Sequence, residues 1–384
     1  MVSGYRKLLL LMVVILAFAG NALADGKLAP APIVLGQSCA LTGPSKNLGL
    51  ELRGGLLAAL AKVNDENGGI NGRELMLISK DDGYEPDRAV RNTRDLIIVD
   101  KVFMLIGEVG TPTSKAVIPL IDTHRIPFFA PFTGAEFLRD PFRKYIINVR
   151  ASYYQEMEKL AAYLIEKKKI RRIACFYQND SYGLTGLAGI EIALKKRGME
   201  LVSRGTYERN TVAVMGGLRD IYHGEPEAVV MVGTYSATAE FIKLSKNKID
   251  RDVTLCSISF VGTESLRETL GGYGKGVIVS QVTPLPDNNS IALVREYREA
   301  MQRYQHDVPL SFTSLEGYIA GKLFCRIAET VPGVLTREKF ITTMEQMGRY
   351  DLGGLVLQFG PNDHQGLEKI HLTRIYPEIE ELVE

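Results

Sequence analysis

The sequence predicts an α/β protein of two lobes, each a parallel sheet covered by helices on both faces. Three observations lead there. Short apolar runs alternate with stretches of helical spacing, which is the pattern of strands joined by crossover helices. The alternation starts twice, once near residue 32 and again near residue 171. At 384 residues the chain also exceeds a single ordinary core, since one domain takes about 100–200 residues.

In the first series "PIVLGQS" reads as a strand and "LELRGGLLAALAKVNDENGG" as the helix after it. "ELMLISK", "PDRAVRNTRDLIIVD" and "VFMLIG" continue as strand, helix and strand. The turn chemistry agrees. Gly68 and Gly69 stand where a helix end needs a left-handed residue, and Asn71-Gly72 turns the chain into the next strand. Pro86 opens a helix where its missing N–H costs nothing. The second series runs through "RRIACFY", "ELVSRGTY", "EAVVMVG" and "DVTLCSI", each followed by a helical stretch.

A ligand of an open parallel sheet lies beyond the carboxyl ends of its strands. The segments predicted there are "GQSCALTGPS", "DDGYEP", "GEVGTPTS", "APFTGAEF", "YQNDSYG", "GTYSAT" and "SFVGTES". They are rich in Gly, Ser, Thr and Tyr, which supply neutral donors and aromatic walls, and they offer few acids or bases.

Lys plus Arg (46) nearly cancels Asp plus Glu (45), a net charge of +1, so no global field favours nucleic acid or an anionic membrane. No stretch matches G-x-x-x-x-G-K-[ST], and "GLTGLAG" has its glycines at the wrong spacing for G-x-G-x-x-G, so no nucleotide cofactor is expected. There is no G-x-S-x-G elbow, and His124, His223, His306, His364 and His371 form no pair at zinc spacing; an enzyme is not expected. The N-terminus, "MVSGYRKLLLLMVVILAFAGNALADG", has basic Arg6 and Lys7, an apolar core and Ala22-Leu23-Ala24 before Asp25, which reads as a secretory signal peptide over 1–24. Export would permit disulfides among Cys39, Cys175, Cys256 and Cys325, with three pairings possible, although Cys175 and Cys256 sit in strand-like runs that suit buried thiols.

The run "LTGPSKNLGLELRGGLLAALAKVNDENGGINGRELMLISKDDGYEP", followed by "IGEVGTPTSKAVIPLI", "IPFFAPFTGAEFLR", "NDSYG" and "SFVGTESL", resembles the extracytoplasmic solute-binding subunits of branched-chain amino acid (leucine/isoleucine/valine) type ABC transporters. The resemblance implies a type I periplasmic binding protein: two Rossmann-like lobes joined by a three-strand hinge that closes on a ligand. Lobe one would hold 29–147 and 282–354, and lobe two 148–281 and 355–384, with hinge strands near "INVRAS", "VSQVTP" and "LGGLVL". It further implies a periplasmic and monomeric protein that binds a small carboxylate ligand and works with a membrane permease. A sensor of the same fold that feeds a signalling receptor is the alternative.

By the same resemblance, Gly110, Thr111 and Thr113 of "GEVGTPTS" would hold the ligand carboxylate, as backbone donors at a helix N-terminus can. Thr133, Gly134 and Ala135 would adjoin them, Tyr182 and Tyr235 would come down from lobe two, and Cys39, Ala40 and Leu41 would line the first loop. The chain departs from its relatives in one place. Where branched-chain binders carry a glutamate for the ligand ammonium, this chain reads Ser259-Phe260. Either Asp180, Glu108 or Glu264 takes that part, or the ligand has no ammonium.

Overall fold

The computed structural model describes residues 30–249, 252–376 and 378–381. The first lobe opens as β1 (Ile33–Cys39), α1 (Lys46–Asn67), β2 (Leu75–Asp81), α2 (Pro86–Ile98), β3 (Met104–Ile106), α3 (Thr111–His124), β4 (Phe128–Phe129) and β5 (Ile146–Ile147). Its sheet has the order β2-β1-β3-β4-β5, and every pairing is parallel. The chain then crosses to α4 (Tyr153–Ala162), β6 (Ile173–Gln178), α5 (Ser181–Lys195), β7 (Ser203–Tyr207), α6 (Met215–His223), β8 (Ala228–Val232), α7 (Tyr235–Lys248), β9 (Thr254–Ser257), α8 (Thr263–Leu270) and β10 (Ile278–Gln281).

After β10 the chain returns to the first lobe as α9 (Ala292–Tyr304), α10 (Phe312–Thr330), α11 (Arg337–Met347), β11 (Arg349–Asp351) and β12 (Val356–Gln358), and then ends in β13 (His371–Tyr376) and β14 (Glu378–Glu381). The second sheet runs β14-β13-β10-β9-β8-β6-β7, parallel from β10 to β7 and antiparallel at the two C-terminal strands.

The helix ends follow the turn residues. Gly68, at φ 65°, closes α1 with its N–H on Asn64 O, and Pro86 occupies the first turn of α2. Helices α1 and α10 approach backbone to backbone. A Cβ at Gly55 would fall 1.8 Å from Ser314 O, and one at Gly317 would fall 2.0 Å from Leu52 O. Glycine is therefore required at both crossing points for steric reasons.

Three crossovers join the lobes, and the first and third run side by side. Asn148 N donates to His364 O (2.8 Å), Gly366 N to Asn148 O (2.8 Å) and Leu367 N to Val149 O (2.9 Å). The third crossover lies later than "LGGLVL" suggests. That stretch is the turn of an antiparallel hairpin, β11 with β12, closed by Gly353 and Gly354 N–H groups on Asp351 Oδ1. Leu357, Phe359 and Leu367 pack in the same core as Leu35, Phe129 and Ile319, so the first lobe keeps the chain past residue 354. A glycine pair within an apolar run reads equally as a hinge or a hairpin, and the antiparallel pairing of Tyr350 with Leu357 decides for the hairpin.

Adding a methyl at the α1–α10 crossing tests this packing. Gly55→Ala should cost about 1–3 kcal/mol, seen as a lower urea midpoint with an unchanged slope. An unaltered midpoint would mean the two helices are not in backbone contact.

Candidate ligand-binding site

The carboxyl ends of β1, β3 and β4 meet the start of α4 between the lobes, and the "GEVGTPTS" loop is held there from several sides. Gln37 Nε2 donates to Gly107 O (2.8 Å), Val109 bridges Phe132, and Phe132 N donates to Glu108 O (2.7 Å). Gly110 sits at φ 118°, and a Cβ there would fall 2.4 Å from the Tyr84 ring, so the position excludes other residues twice over.

Thr111 begins α3 with its hydroxyl 2.7 Å from that of Thr133, and both lie 3.3 Å from Tyr153 Oη. Tyr153 N also donates to Gly134 O (2.7 Å), so α4 is tied directly to the "APFTGA" loop, and Ala135 N turns onto Thr133 Oγ1 (3.2 Å). Thr113 is placed differently from its neighbours. Its hydroxyl donates back to Val109 O (2.8 Å) and Gly110 O (3.0 Å), within the helix's own first turn.

Phe260 is the centre of an aromatic cluster drawn from both lobes. Ring centroids lie 4.6 Å from Tyr182, 5.3 Å from Phe132, 6.2 Å from Tyr84 and 6.4 Å from Tyr153. All five rings are buried. Tyr182 Oη donates to Gly233 O (3.4 Å). Cys39 and Ala40 lie in the same buried cluster, and Leu41 is held at its edge by its N–H on Asp81 Oδ1 (2.8 Å). Burial opposes ionisation of Asp81, but hydrogen bonds from Thr42, Leu41, Gly83 and Arg88 bring its pKa down to about 2.

Tyr235 belongs to the rim. Its Oη lies 3.5 Å from Asn47 N, Asn47 Nδ2 donates to Ser265 Oγ (3.1 Å), and Ser236 Oγ donates to Pro44 O (2.9 Å). Glu51 joins the lobes there, accepting from Ser265 Oγ (2.7 Å) and Ser311 Oγ (2.6 Å). On the opposite rim Arg209 bridges Asp180 (3.1 Å) and Glu85 (2.9 Å), and Asn210 Nδ2 donates to Gly83 O (3.0 Å). A separate groove of about 570 Å³ lies outside the rings, lined by Asn47, Glu51, Arg53, Glu268 and His306.

The group least visible in the sequence is Arg150, on the first crossover. It is 1% exposed, donates to Ser259 Oγ, and lies 3.7 Å from Glu156 and 3.6 Å from Glu316. Its guanidinium stands 4.7 Å over the Phe132 ring. Burial alone would lower its pKa, but Glu316 and Glu156 more than offset this and keep it charged. Glu156 accepts from Ser259 N (2.8 Å), Ser259 Oγ (3.0 Å) and Ser280 Oγ (2.6 Å). Burial pushes Glu316 up to about 7, with Arg150 opposing. A charge on the apolar face of a helical pattern was the available signal: Glu156 between Tyr153 and Leu160, and Glu316 within "FTSLEGYIAGKLF".

Two of the three acids that could serve an ammonium are otherwise engaged. Asp180 caps α5 and pairs with Arg209, and Glu264 pairs with Arg267. Burial and the neighbouring Asp82 raise Glu108 well above the usual carboxylate range.

The sequence pattern described as "Periplasmic binding protein" matches residues 32–377. The chain belongs to the periplasmic binding protein family. This family member is 25% identical over 324 residues to the Leu/Ile/Val-binding protein homolog 7 of Brucella suis, covering 81% of this chain and 80% of that protein. It resembles the crystal structure of a possible leucine/isoleucine/valine-binding protein from Rhodopirellula baltica with a TM-score of 0.89 at 37% identity, over 94% of this chain and 98% of that one. A substrate-binding periplasmic protein from Ralstonia solanacearum gives a TM-score of 0.86 at 26% identity, over 91% and 100%. The type I periplasmic binding fold is thus established, and the relatives are binding proteins of the Leu/Ile/Val type rather than enzymes. The expected signal peptide lies outside the described residues, and Cys39, Cys175, Cys256 and Cys325 are buried and free.

The rim carboxyl Glu51 gives a test by pH. Burial raises it to about 7, with Ser311 and Ser265 opposing and Glu264 and Glu268 adding to the rise. The folded state therefore binds this proton more tightly than the unfolded chain, and the contribution to stability falls as pH rises from about 4.5 to 7, then levels. Glu51→Gln should match the wild type near pH 4 and exceed it by up to about 3 kcal/mol at pH 8, measured by urea denaturation at both pH values. An equal loss of stability at both would contradict this.

Proposed function

We propose that the protein is the extracytoplasmic solute-binding subunit of an ABC transporter, capturing a small carboxylate-bearing solute between its lobes by hinge closure. The observation that carries this reading is the Thr111 hydroxyl at the start of α3, paired with that of Thr133 in the "APFTGA" loop and buried against Tyr153 of the opposing lobe. Hydroxyl donors at a helix N-terminus suit an anion, and the helix dipole adds to them. Hydrogen bonds to a charged group contribute about 1.5–3 kcal/mol each, so a few of them, with desolvation by the rings, reach the roughly 8 kcal/mol of micromolar binding. Gly110 shapes the loop, Thr133, Gly134 and Ala135 form its second side, and Tyr182, Ser259 and Phe260 close from the second lobe. Thr113 supports the loop by fastening its own turn, while Tyr235 acts at the rim. Nothing in this arrangement needs a cofactor, and the captured solute leaves unchanged, handed to a membrane permease.

Thermal shift with a panel of amino acids and simple carboxylic acids tests the reading, because a ligand that binds only the folded state raises the melting temperature. At least one carboxylate should raise it. Thr111→Val should weaken that ligand more than tenfold by calorimetry while the unliganded protein melts within a few degrees of wild type. Undiminished affinity would remove Thr111 from the site.

A further inference from the structure

We propose that the cleft takes a carboxylate with no α-ammonium and a ring-sized apolar body, with Arg150 as the cation that pairs with it. This rests on the reading of the interlobe cleft as the ligand site and narrows its substrate class. A guanidinium offers five N–H donors in a planar fork suited to a carboxylate. Arg150 Nη2 is taken by Ser259, but among the described residues Nε and Nη1 have no hydrogen-bond partner, although both are buried. The carboxylate of Glu156 is already held by Ser259 and Ser280. That of Glu316 approaches Nε only to 3.6 Å. Burial raises Glu316 to about 7, which weakens the charged form that competes for Arg150.

The rest of the cleft argues against an ammonium. Asp180 and Glu264 are matched by arginines, and the carboxyl of Glu108 is buried with neither oxygen hydrogen-bonded among the described residues. Burial and Asp82 raise Glu108 well above the usual carboxylate range, which disfavours its charged form. Of these three acids an ammonium enclosed here would find only Glu108 unpaired, and ionising that carboxyl works against its burial, so the lost hydration is poorly repaid. Phe132 spans the two features: its ring lies 4.7 Å from the Arg150 guanidinium carbon and 5.3 Å from the Phe260 centroid, which places the cation at the edge of the aromatic cluster. A ligand with an anionic end and a flat apolar end fits that order.

Two pairs of probes differ only in the α-ammonium: 3-phenylpropionate with L-phenylalanine, and 4-methylpentanoate with L-leucine. In calorimetry at pH 7 the des-amino acid of at least one pair should bind tenfold or more tightly than its amino acid. Arg150→Gln should reduce that affinity at least tenfold, and Arg150→Lys should restore part of it. The comparison of pairs uses the wild-type protein, so it stands even if the Arg150 variants fail to fold. Tighter binding of the amino acids would overturn this inference and leave the carboxylate-capture reading intact. Tight binding of the des-amino acid that survives Arg150→Gln would remove Arg150 from the site. No binding by any of the four would overturn this inference, while the carboxylate-capture reading falls only if the whole thermal-shift panel gives no shift.

Discussion

A charge buried between two lobes must be matched from both of them, and Arg150 is where this molecule meets that constraint. Its counter-charges come from α4 of the second lobe (Glu156) and α10 of the first (Glu316). Its backbone is fixed as well: Arg139 Nη2 donates to the carbonyls of Arg150 (2.8 Å) and Ala151 (3.3 Å), while Arg139 Nε reaches Gln365 on the third crossover (2.6 Å). The hinge, the start of α4 and the Ser259-Phe260 turn are therefore tied to one guanidinium. Separating the lobes parts Arg150 from at least one carboxylate, so the charge state of this cluster and the closed arrangement depend on each other.

Around that cluster the interface divides by chemistry. Its middle is aromatic and non-directional, with Phe260 touching rings from both lobes, and it supplies the free energy that comes from removing apolar surface from water. Its two rims are polar and directional. Asn47, Glu51 and Ser265 set the register on one side, and Arg209, Asn210 and Glu85 set it on the other. Rim pairs near solvent contribute little to net stability, but they fix how the lobes meet. Glu51 is the exception, since its burial makes the rim sensitive to pH near neutrality.

The sheets and helices were legible because burial on both faces of a parallel sheet imprints itself on local sequence, as in "EAVVMVG" for β8 and "RRIACFY" for β6. The caps at Gly68 and Pro86 were legible for the same local reason. The anion loop could be read because its small residues and hydroxyls are consecutive. Arg150, Tyr84 and Phe132 could not, since they come from three separate segments and acquire meaning only when the lobes meet. Thr113 shows the limit even within one segment: it and Thr111 are two residues apart, yet one hydroxyl points across the cleft and the other is spent on its own turn. The third crossover was misread because a double glycine marks a tight turn without saying whether the chain then returns or departs.

Closure on a carboxylate is the centre of this account, and an interlobe distance measures it directly. Asp87 on α2 and Val212 before α6 are exposed on opposite lobes, while the four native thiols are buried, with burial raising each of them, so spin labels can be placed at Asp87→Cys and Val212→Cys alone. Pulsed electron spin resonance should give a broad or double distance distribution without ligand. A saturating carboxylate, 3-phenylpropionate in the first instance, should collapse it to a single population at the shorter distance. A carboxylate that binds by calorimetry and leaves the distribution unchanged would contradict capture by closure.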